Sequence, residues 1–308
     1  MHNILTEYDM LKNAQNGGNM KKILVTGCNG QLGRAINKEY DKNQIEFINT
    51  DVQASENVFA LDITNVDAVL SFVCERKPDV IINCAAHTAV DLCEQEWDRA
   101  YQINAIGPRN LSIAASEINA KLIHVSTDYV FDGNGKKPYT EFDTPNPNSA
   151  YGKTKLEGEN FVKAFAKKYF ILRTAWLYGD GKNFVKTMLR LAENYNKVTV
   201  VDDQVGNPTS AVELAKMIRF LEPTENYGVF HATCEGSCSW ADLAEETFRL
   251  AGKNTVVERV STEEYCRRNP NQAPRPAYSN LENYMIKLTS NFQMADWKDA
   301  LKTYITTL

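Results

Sequence analysis

The sequence predicts an α/β protein built on a doubly wound parallel sheet, with a smaller lobe in its C-terminal part. Three observations indicate this fold. Short apolar stretches alternate with helical patterns from residue 21 to about residue 175, as in sheets whose parallel strands are joined by helices. A glycine-rich turn follows the first apolar stretch. After about residue 175, polar loops rich in Asn, Pro and Gly separate short helical patterns.

The elements of the predicted sheet follow one another in a regular order. Each predicted strand is a short apolar run rich in branched side chains, which is typical of a buried parallel strand. The predicted strands are 22–26, 45–50, 79–84, 121–126 and 169–174. The helical patterns between them include 64–76, 96–118 and 152–168. This alternation implies right-handed crossover connections.

The chain is expected to divide into three parts. Residues 1–19 are polar and lack the apolar segment of a signal peptide, so we expect a mobile tail before Met20. Residues 20–175 contain the predicted sheet. Residues 176–308 are expected to form mainly a substrate-binding lobe, interleaved with the first part because no flexible linker divides the two.

Composition argues against several classes of protein. The net charge is −5 and no basic stripe stands out, which disfavours binding to nucleic acid or to a membrane surface. No apolar run approaches the ~18–20 residues needed to span a bilayer. The seven cysteines are scattered and odd in number, as expected for reduced thiols in a cytoplasmic protein. We therefore expect a cytoplasmic protein with a small-molecule substrate.

A glycine-rich turn, Thr26–Gly33, lies between the first predicted strand and a helical pattern. Its glycines let the backbone approach a pyrophosphate, and the helix N-terminus offers free N–H groups to it. The strand–turn–helix context is that of a dinucleotide-binding fingerprint, although the spacing is G-x-x-G-x-x-G. The sequence therefore predicts a Rossmann-type, NAD(P)-binding sheet in residues 20–175. The cofactor-binding candidates here are Gly27, Gly30, Gln31, Leu32 and Gly33.

Asp51 ends the second predicted strand, eighteen residues after Gly33. A carboxylate at this position accepts hydrogen bonds from the adenosine ribose and repels a 2′-phosphate. Asp51 therefore favours NADH, although both NADH and NADPH remain candidate cofactors. Asp62 and Ile63 follow another apolar stretch and are candidates for the adenine site.

Tyr151 and Lys155 are four residues apart, so they lie on one face of a helix. A phenol beside an ammonium group is a proton donor whose pKa is expected to be lowered. Alone, the pair is a weak signal, because an amphipathic helix with a solvated lysine has the same spacing. It gains weight from the glycine-rich turn and from the polar segments at the strand ends.

Three polar segments follow predicted strands: Asn83–Asp91, Ser126–Gly133 and Arg173–Gly179. In open α/β sheets, ligands bind outside the carboxyl ends of the strands. We therefore expect these segments, the glycine-rich turn and the Tyr151 helix to converge on one crevice.

With these motifs the chain resembles the extended short-chain dehydrogenases/reductases, and within them the dTDP-4-dehydrorhamnose reductase family. The matching stretches span residues 21 to about 305. They are Thr26–Gly33, Asn83–Asp91, Ser126–Gly133, Tyr151–Lys155, Arg173–Gly179, Asn183–Met188, Asp203–Thr209 and Arg275–Pro276. The resemblance implies reduction of the C4 ketone of dTDP-4-dehydrorhamnose to dTDP-L-rhamnose by hydride transfer from NADH or NADPH.

The resemblance also implies roles for particular residues. Tyr151 would supply the proton, Lys155 would hold the nicotinamide ribose and lower the pKa of Tyr151, and Thr127 would donate a second hydrogen bond to the ketone oxygen. The implied substrate-binding residues are Thr88, Val90, Thr127, Asp128, Tyr129, Trp176, Asn207 and Arg275. Further implied cofactor contacts are Ala85, Ala86, His87 and Asn104.

Four residues of the matching stretches also have a structural interpretation. Trp176 could belong to the core, Asp128 could orient a loop, and Arg275 could simply be exposed. Asp91 is expected to be structural rather than catalytic.

One departure from the family concerns assembly. Some members dimerise through carboxylates that bridge a metal, and the corresponding positions here are Ala35 and Lys298. Neither side chain binds a hard cation. We therefore expect no metal and a monomer.

Other functions are compatible with the same fold. A 4-epimerase or 4,6-dehydratase is one, although Asp128 is followed by Tyr129 where a dehydratase needs a glutamate. Another is a non-catalytic regulatory subunit, such as the reductase-like subunit of methionine adenosyltransferase. The complete set of Thr127, Tyr151 and Lys155 favours the enzyme. An NAD-binding redox sensor has no support beyond the fold.

Overall fold

The computed structural model describes residues 20–40, 44–270 and 272–308. The tail expected for residues 1–19 lies outside the described residues. The strands, in chain order, are β1 (Lys21–Thr26), β2 (Ile45–Asp51), β3 (Phe59–Ala60), β4 (Val80–Asn83), β5 (Lys121–Thr127), β6 (Tyr169–Thr174), β7 (Leu177–Tyr178), β8 (Lys197–Val201), β9 (Val205–Gly206), β10 (Thr209–Ser210), β11 (Gly228–His231), β12 (Cys238–Ser239) and β13 (Val256–Val260).

Helices occupy most of the chain between these strands. They are α1 (Gln31–Glu39), α2 (Val66–Arg76), α3 (Val90–Gln95), α4 (Trp97–Tyr101), α5 (Gly107–Glu117), α6 (Ala150–Phe165), α7 (Phe184–Asn194), α8 (Ala211–Leu221), α9 (Trp240–Leu250), α10 (Thr262–Arg268), α11 (Tyr284–Thr289) and α12 (Trp297–Ile305). A π-helical turn, Gln102–Ile106, joins α4 to α5, and a 3₁₀ turn, Asp128–Val130, follows β5.

The central sheet contains seven parallel strands in the order β11-β6-β5-β4-β1-β2-β3. The strand order reverses on either side of β1, because the chain runs outward to β2 and β3 and then returns to β4 beside β1. The crevice at the carboxyl ends of β1 and β4 is therefore the topological switch point, where ligands bind in doubly wound sheets.

Both faces of the sheet are buried, and the side chains of β1 show this because they alternate between the two faces. Ile23 and Val25 belong to an apolar cluster with residues of α1 and α8. Leu24, between them, belongs to a second cluster with residues of α2, α5 and α6. Successive side chains of a strand point to opposite faces, so one apolar run supplies both layers of core.

The C-terminal lobe is built from short paired strands and helices. Its pairs are β7 with β10, β9 with β12, and β8 with β13. An apolar cluster that includes Tyr178, Leu243, Trp297 and Leu301 fills its interior. Among the described residues, no helix is both long and apolar enough to cross a membrane.

The predicted sheet is confirmed, and no end of the five predicted strands differs from the structure by more than one residue. The predicted helical stretch over 96–118 is helical from Trp97 to Glu117, as α4, a π-helical turn and α5 in direct succession. Pro108 lies in the first turn of α5, and its missing N–H interrupts the regular hydrogen-bond ladder at that point. The sequence also gave no indication that β11 joins the central sheet.

Candidate active site

A cavity of about 540 Å³ lies at the switch point, a volume in the usual range for a small-molecule site. It is bounded by the glycine-rich turn, the ends of β4, β5 and β6, and helix α6. The sequence-predicted residues that line it are Gly27, Gly30, Gln31, Leu32, Gly33, Ala86, Thr88, Val90, Thr127, Asp128, Tyr129, Tyr151, Lys155 and Trp176.

The glycine-rich turn forms one end of this cavity. Gly27 has a φ of +64°, and a Cβ atom there would lie 2.8 Å from the backbone nitrogen of Ala85, so only glycine fits. Gly30 occupies the N-cap of α1 without a side-chain cap, which leaves the first N–H groups of the helix available. The Oε1 atom of Gln31 is buried without a hydrogen-bond partner. The glycines and the free N–H groups fit the diphosphate of a dinucleotide, whereas the Gln31 oxygen, an acceptor, suits a hydroxyl or N–H group.

Tyr151 and Lys155 are placed together in the cavity by the first turns of α6. This helix begins where the Ser149 hydroxyl accepts a hydrogen bond from the Gly152 nitrogen. The ring of Tyr151 packs edge-on against Tyr129, with 5.4 Å between ring centroids. The ammonium of Lys155 is buried and donates a hydrogen bond of 2.6 Å to the Val125 carbonyl.

The expected lowering of the Tyr151 pKa is not found. Burial raises the pKa of Tyr151 well above its usual range, with the Thr127 hydroxyl acting in the opposite direction. Burial also lowers the pKa of Lys155 to about 8. Desolvation, with a smaller contribution of the same sign from Asp128, outweighs the Thr127 hydrogen bond, so Tyr151 is a protonated phenol at neutral pH.

The end of β5 supplies two further polar groups. The Thr127 hydroxyl donates to Asp128 Oδ1 at 2.9 Å and accepts from the Tyr129 nitrogen at 3.2 Å. Asp128 is only 2% exposed, and burial raises its pKa to about 6. Its Oδ2 atom has no partner within the described protein. A buried carboxylate oxygen of this kind at a cavity wall is available to a ligand hydroxyl.

A buried ion pair fixes α6 to the sheet beneath these groups. Glu159 accepts hydrogen bonds from Arg173 at 2.9 and 2.8 Å and from the Ser126 hydroxyl at 2.6 Å. Both charged side chains are almost fully buried. Because Glu159 is one turn after Lys155, this two-point contact sets how α6 lies over β5 and β6.

His87 and Asn104 do not contact the cavity as predicted. The side chain of His87 is turned toward Cys93 and Glu96, with Nδ1–Sγ and Nε2–Oε2 distances of 3.5 Å. Asn104, in the buried π-helical turn, accepts from the His87 nitrogen and donates to its carbonyl, at 2.8 and 3.1 Å. Asn104 therefore positions the loop that carries Ala86 and Thr88.

Residues predicted for the adenosine end lie beyond the cavity lining. Asp51 ends β2, and its carboxylate accepts hydrogen bonds from the nitrogens of Asn29 and Val52 at 3.2 and 2.8 Å. Asp62 is exposed and accepts from Thr64, while Ile63 is buried in the core. The backbone nitrogen of Ala85 donates to the Asn83 side chain.

Trp176 is not a plain core residue. Its φ is +47°, an uncommon conformation for a bulky residue. Its indole stacks on that of Trp240, with 3.6 Å between ring centroids and 7° between planes. Both side chains line the cavity, so the stack fixes Trp176 at its edge. The role of Trp240 was missed because it begins a helix more than sixty residues away along the chain.

A second cavity of about 480 Å³ lies in the C-terminal lobe, and Trp240 also lines this one. Its lining is Phe184, Met188, Thr199, Val200, Val201, Gln204, Trp240, Thr262, Tyr265, Cys266, Gln272, Ala273, Pro274 and Arg275. Arg275 is thus part of a cavity wall rather than a freely exposed residue. Trp240 is therefore a lining residue common to both cavities.

Asn207 was predicted to bind the substrate, but the structure places it away from both cavities. It is buried and lines neither cavity. Its amide donates to the Gly236 carbonyl and the Asn280 side chain at 2.7 and 2.9 Å, and it accepts from the Leu281 nitrogen at 2.7 Å. These contacts occupy its polar atoms and give it a structural role in the lobe.

Three cavity residues were not named as site candidates by the sequence analysis. Thr174, at the end of β6, lines the cavity, and its buried hydroxyl has no partner among the described residues. Lys182 and Asn183 come from the segment before α7. Thr174 and Asn183 lie in the matched stretches Arg173–Gly179 and Asn183–Met188, whereas Lys182 lies between these stretches.

Comparisons with known proteins agree with this site. The family described as RmlD substrate binding domain matches residues 20–308. A dTDP-4-dehydrorhamnose reductase from Aggregatibacter actinomycetemcomitans is 41% identical, over 92% of this chain and 98% of that protein.

Two solved structures are similar along nearly the whole chain. A dTDP-4-dehydrorhamnose reductase from Clostridium acetobutylicum is 56% identical with a TM-score of 0.88, covering 93% of this chain and 99% of that one. A second, from Bacillus anthracis in complex with NADP, is 41% identical with a TM-score of 0.88, covering 94% of this chain and 100% of that one.

Proposed function

Because the chain belongs to the RmlD substrate binding domain family, together with dTDP-4-dehydrorhamnose reductases, we propose that it reduces dTDP-4-dehydrorhamnose to dTDP-L-rhamnose. The reaction adds a hydride to the C4 carbon of the sugar and a proton to the ketone oxygen. The reductant is NADH or NADPH.

One observation carries this proposal most directly. Thr127, Tyr151 and Lys155 line a single cavity at the switch point of the sheet, beside a turn that fits a diphosphate. A regulatory subunit has no need of this intact set. Tyr129 follows Asp128 and packs against Tyr151, so the extra carboxylate that a dehydratase needs next to Asp128 is replaced by an aromatic ring.

Tyr151 is the proton donor in this mechanism. Its raised pKa keeps the hydroxyl protonated at neutral pH, which is the form that a general acid requires. As the ketone becomes an alkoxide, a proton from Tyr151 neutralises the oxygen. Thr127 lies beside Tyr151, and its hydroxyl, which donates to Asp128 in this structure, would turn to donate to the oxygen where negative charge develops.

Lys155 and the glycine-rich turn prepare the cofactor end of the site. A bound nicotinamide dinucleotide supplies the hydride. The free N–H groups at the N-terminus of α1 would hold its diphosphate, and Gln31 Oε1, an acceptor without a partner among the described residues, would accept from a neighbouring hydroxyl group. Lys155, whose charge is retained below a pKa of about 8, would hold the nicotinamide ribose and stabilise the phenolate left on Tyr151.

The sugar and its nucleotide would occupy the remaining walls. The unpartnered oxygen of Asp128 and the hydroxyl of Thr174 suit the sugar hydroxyls, and the indole of Trp176 offers an apolar face. The second cavity shares Trp240 with the first and is also lined by Arg275. The guanidinium of Arg275 supports the proposal that the thymidine diphosphate lies there.

Asp51 supports the use of NADH at least as efficiently as NADPH. It lies beside the glycine-rich turn and accepts two backbone hydrogen bonds. Arg34, the nearest candidate to neutralise a 2′-phosphate, is engaged by Asp180. For assembly, we propose a metal-free monomer in the cytoplasm.

The direct experiment mixes the purified protein with NADH or NADPH and dTDP-4-dehydro-L-rhamnose, follows the loss of reduced-nicotinamide absorbance, and identifies the sugar product. Formation of dTDP-L-rhamnose with equal consumption of cofactor supports the proposal. An unconsumed cofactor, or a product other than the 4-hydroxy sugar, contradicts it.

A further inference from the structure

The loop Gly179–Asn183 lies between β7 and α7, in the C-terminal lobe, yet it borders the cofactor end of the cavity. Lys182 and Asn183 from this loop line the same cavity as Gly30, Gln31 and Gly33. A cation from the second lobe therefore faces the dinucleotide-binding turn of the first. No sequence motif pointed to this arrangement.

The loop is fixed from outside by contacts with α1. Asp180 lies 3.5 Å from Arg34 Nε and 3.7 Å from Lys38 Nζ, both on α1, and 3.8 Å from Lys186 Nζ. Gly181 has a φ of +122°, and a Cβ atom there would lie 2.7 Å from Arg34 Nη2. Three surrounding cations offset the carboxylate of Asp180, which lessens its effect on the neighbouring Lys182.

The loop is also fixed from inside. The Asn183 amide donates to the carbonyls of Gly179 and Gly181 at 2.7 and 3.2 Å. The Tyr304 hydroxyl, from α12, donates to the Gly179 carbonyl at 2.6 Å. Lys182 thus stands on a backbone that is held on both sides, while its own side chain is exposed.

Charge along the cavity wall points to what Lys182 binds. The charged residues of the lining are Lys155, Lys182 and Asp128. Lys155 is buried and engaged with the Val125 carbonyl, and Asp128 lies at the sugar end. Among the described residues, Lys182 makes no ion pair. Lys182, which shares the lining with the first residues of α1, is therefore uncommitted.

We propose that Lys182 is the counter-ion of the cofactor diphosphate, carried to the glycine-rich turn by the C-terminal lobe. This inference rests on the proposed dinucleotide cofactor. A diphosphate carries two negative charges, and the free N–H groups of α1 provide only partial positive charge. An ammonium group on the open side completes the site, and cofactor binding then ties the two lobes together.

The test measures dissociation constants directly, without turnover. Lys182→Gln is compared with wild type and with Lys186→Gln, a matched control that removes a lysine beside Asp180 but outside the cavity lining. Binding of NADH, NADPH, ADP-ribose and dTDP is followed by calorimetry. Lys182→Gln is expected to weaken NADH, NADPH and ADP-ribose alike, by roughly fivefold to twentyfold at low salt. The loss shrinks as ionic strength rises.

The control outcomes are equally specific. Lys186→Gln and the binding of dTDP should stay within about twofold of wild type, and Lys182→Arg should restore most of the NADH affinity. An unchanged NADH affinity in Lys182→Gln overturns the inference. So does a loss confined to NADPH, which assigns Lys182 to a 2′-phosphate, or a loss confined to dTDP, which assigns it to the substrate. Wild-type protein that binds no dinucleotide overturns the proposed function as well.

Discussion

The carboxylate of Asp91 and the guanidinium of Arg275 form a two-point ion pair, with both N–O distances at 3.1 Å, between residues 184 positions apart. Asp91 also accepts a hydrogen bond of 2.9 Å from the Ala273 nitrogen. The Arg275 pairing lowers the pKa of Asp91 against the opposing effect of burial. The pair joins the start of α3, beside the catalytic cavity, to the wall of the second cavity.

Arg275→Lys and Asp91→Asn are each expected to raise the KM for the dTDP-sugar by about threefold to tenfold, because lysine and asparagine cannot form the two-point contact. The KM of the double variant should be no higher than that of the more impaired single variant, because both substitutions remove the same interaction. This double-mutant cycle is measured from the KM values of the wild type, the two single variants and the double variant. Arg219→Gln, which breaks a surface pair with Glu39, is the control. Additive losses would show that Arg275 acts without Asp91.

Tyr151→Phe is expected to lower kcat by about 10²–10⁴ while the dissociation constant for NADH stays within twofold. The substitution removes the donated proton and leaves the ring against Tyr129. Single-turnover reduction and cofactor titration are measured side by side. Tyr169→Phe, at the start of β6, controls for loss of a phenol elsewhere. An unchanged kcat would exclude Tyr151 as the donor.

Asp128→Asn is expected to stabilise the protein at pH 7.5 while reducing its activity. The folded-state pKa of about 6 lies above the ordinary value of 3.8, so the folded protein binds this proton more tightly than the unfolded chain. The resulting stability is complete below pH 3.8 and is lost as the pH rises through 6. Removing the charge therefore gains on the order of 1–3 kcal/mol at pH 7.5 and almost nothing near pH 4.

Urea unfolding of wild type and Asp128→Asn at pH 4 and pH 7.5 checks this expectation. Asp132→Asn is a useful control, because hydrogen bonds lower the pKa of that exposed carboxylate instead of raising it. A gain from Asp128→Asn that is the same at both pH values would rule out a buried, titrating Asp128.

Chelation is expected to change neither activity nor molecular mass. Ala35 is buried in the core with 8% exposure, and Lys298 places its ammonium over the Trp297 ring. Among the described residues, no group of three or more His, Cys, Asp or Glu side chains is arranged to hold a metal. Sedimentation with and without EDTA decides the point, and a dimer that dissociates on chelation would contradict the expected metal-free monomer.

Asp51→Ala is expected to shift the ratio of kcat/KM for NADH and NADPH toward NADPH by several-fold to tenfold. A like charge near a 2′-phosphate costs about 1 kcal/mol in a partly solvated site. Asp67→Ala, which removes an exposed carboxylate in the first turn of α2, is the control. A wild type that strongly prefers NADPH, with a ratio unmoved by the substitution, would mean that Asp51 lies away from the ribose.

Local patterns predicted the sheet and much of the site because they report local physics. The apolar runs 22–26 and 121–126 identify buried strands, and Gly27 identifies a turn that a side chain would block. The polar ends of parallel strands meet at one edge of a sheet, and the sequence therefore predicted that Thr127 and Tyr151 lie in the same crevice. Tertiary packing decided the rest.

Three features of the structure were not predicted by local sequence patterns. The stack of Trp176 on Trp240 joins residues 64 positions apart in sequence. The pKa of Tyr151 depends on how completely the folded chain excludes water, which the Tyr-x-x-x-Lys spacing does not encode. Asn207 lies in a stretch that matches the family, yet its side-chain amide is hydrogen-bonded to Gly236, Asn280 and Leu281.

The place of β11 in the sheet has a consequence for biosynthesis. β6 pairs with β5 on one side and with β11 on the other, and β11 emerges from the ribosome only after β7, α7 and α8 have been made. Until then the nascent chain carries an open sheet edge, which is a template for pairing with other chains. The seven-stranded sheet is therefore complete only after the chain has been made through β11, which includes the segment that supplies Lys182.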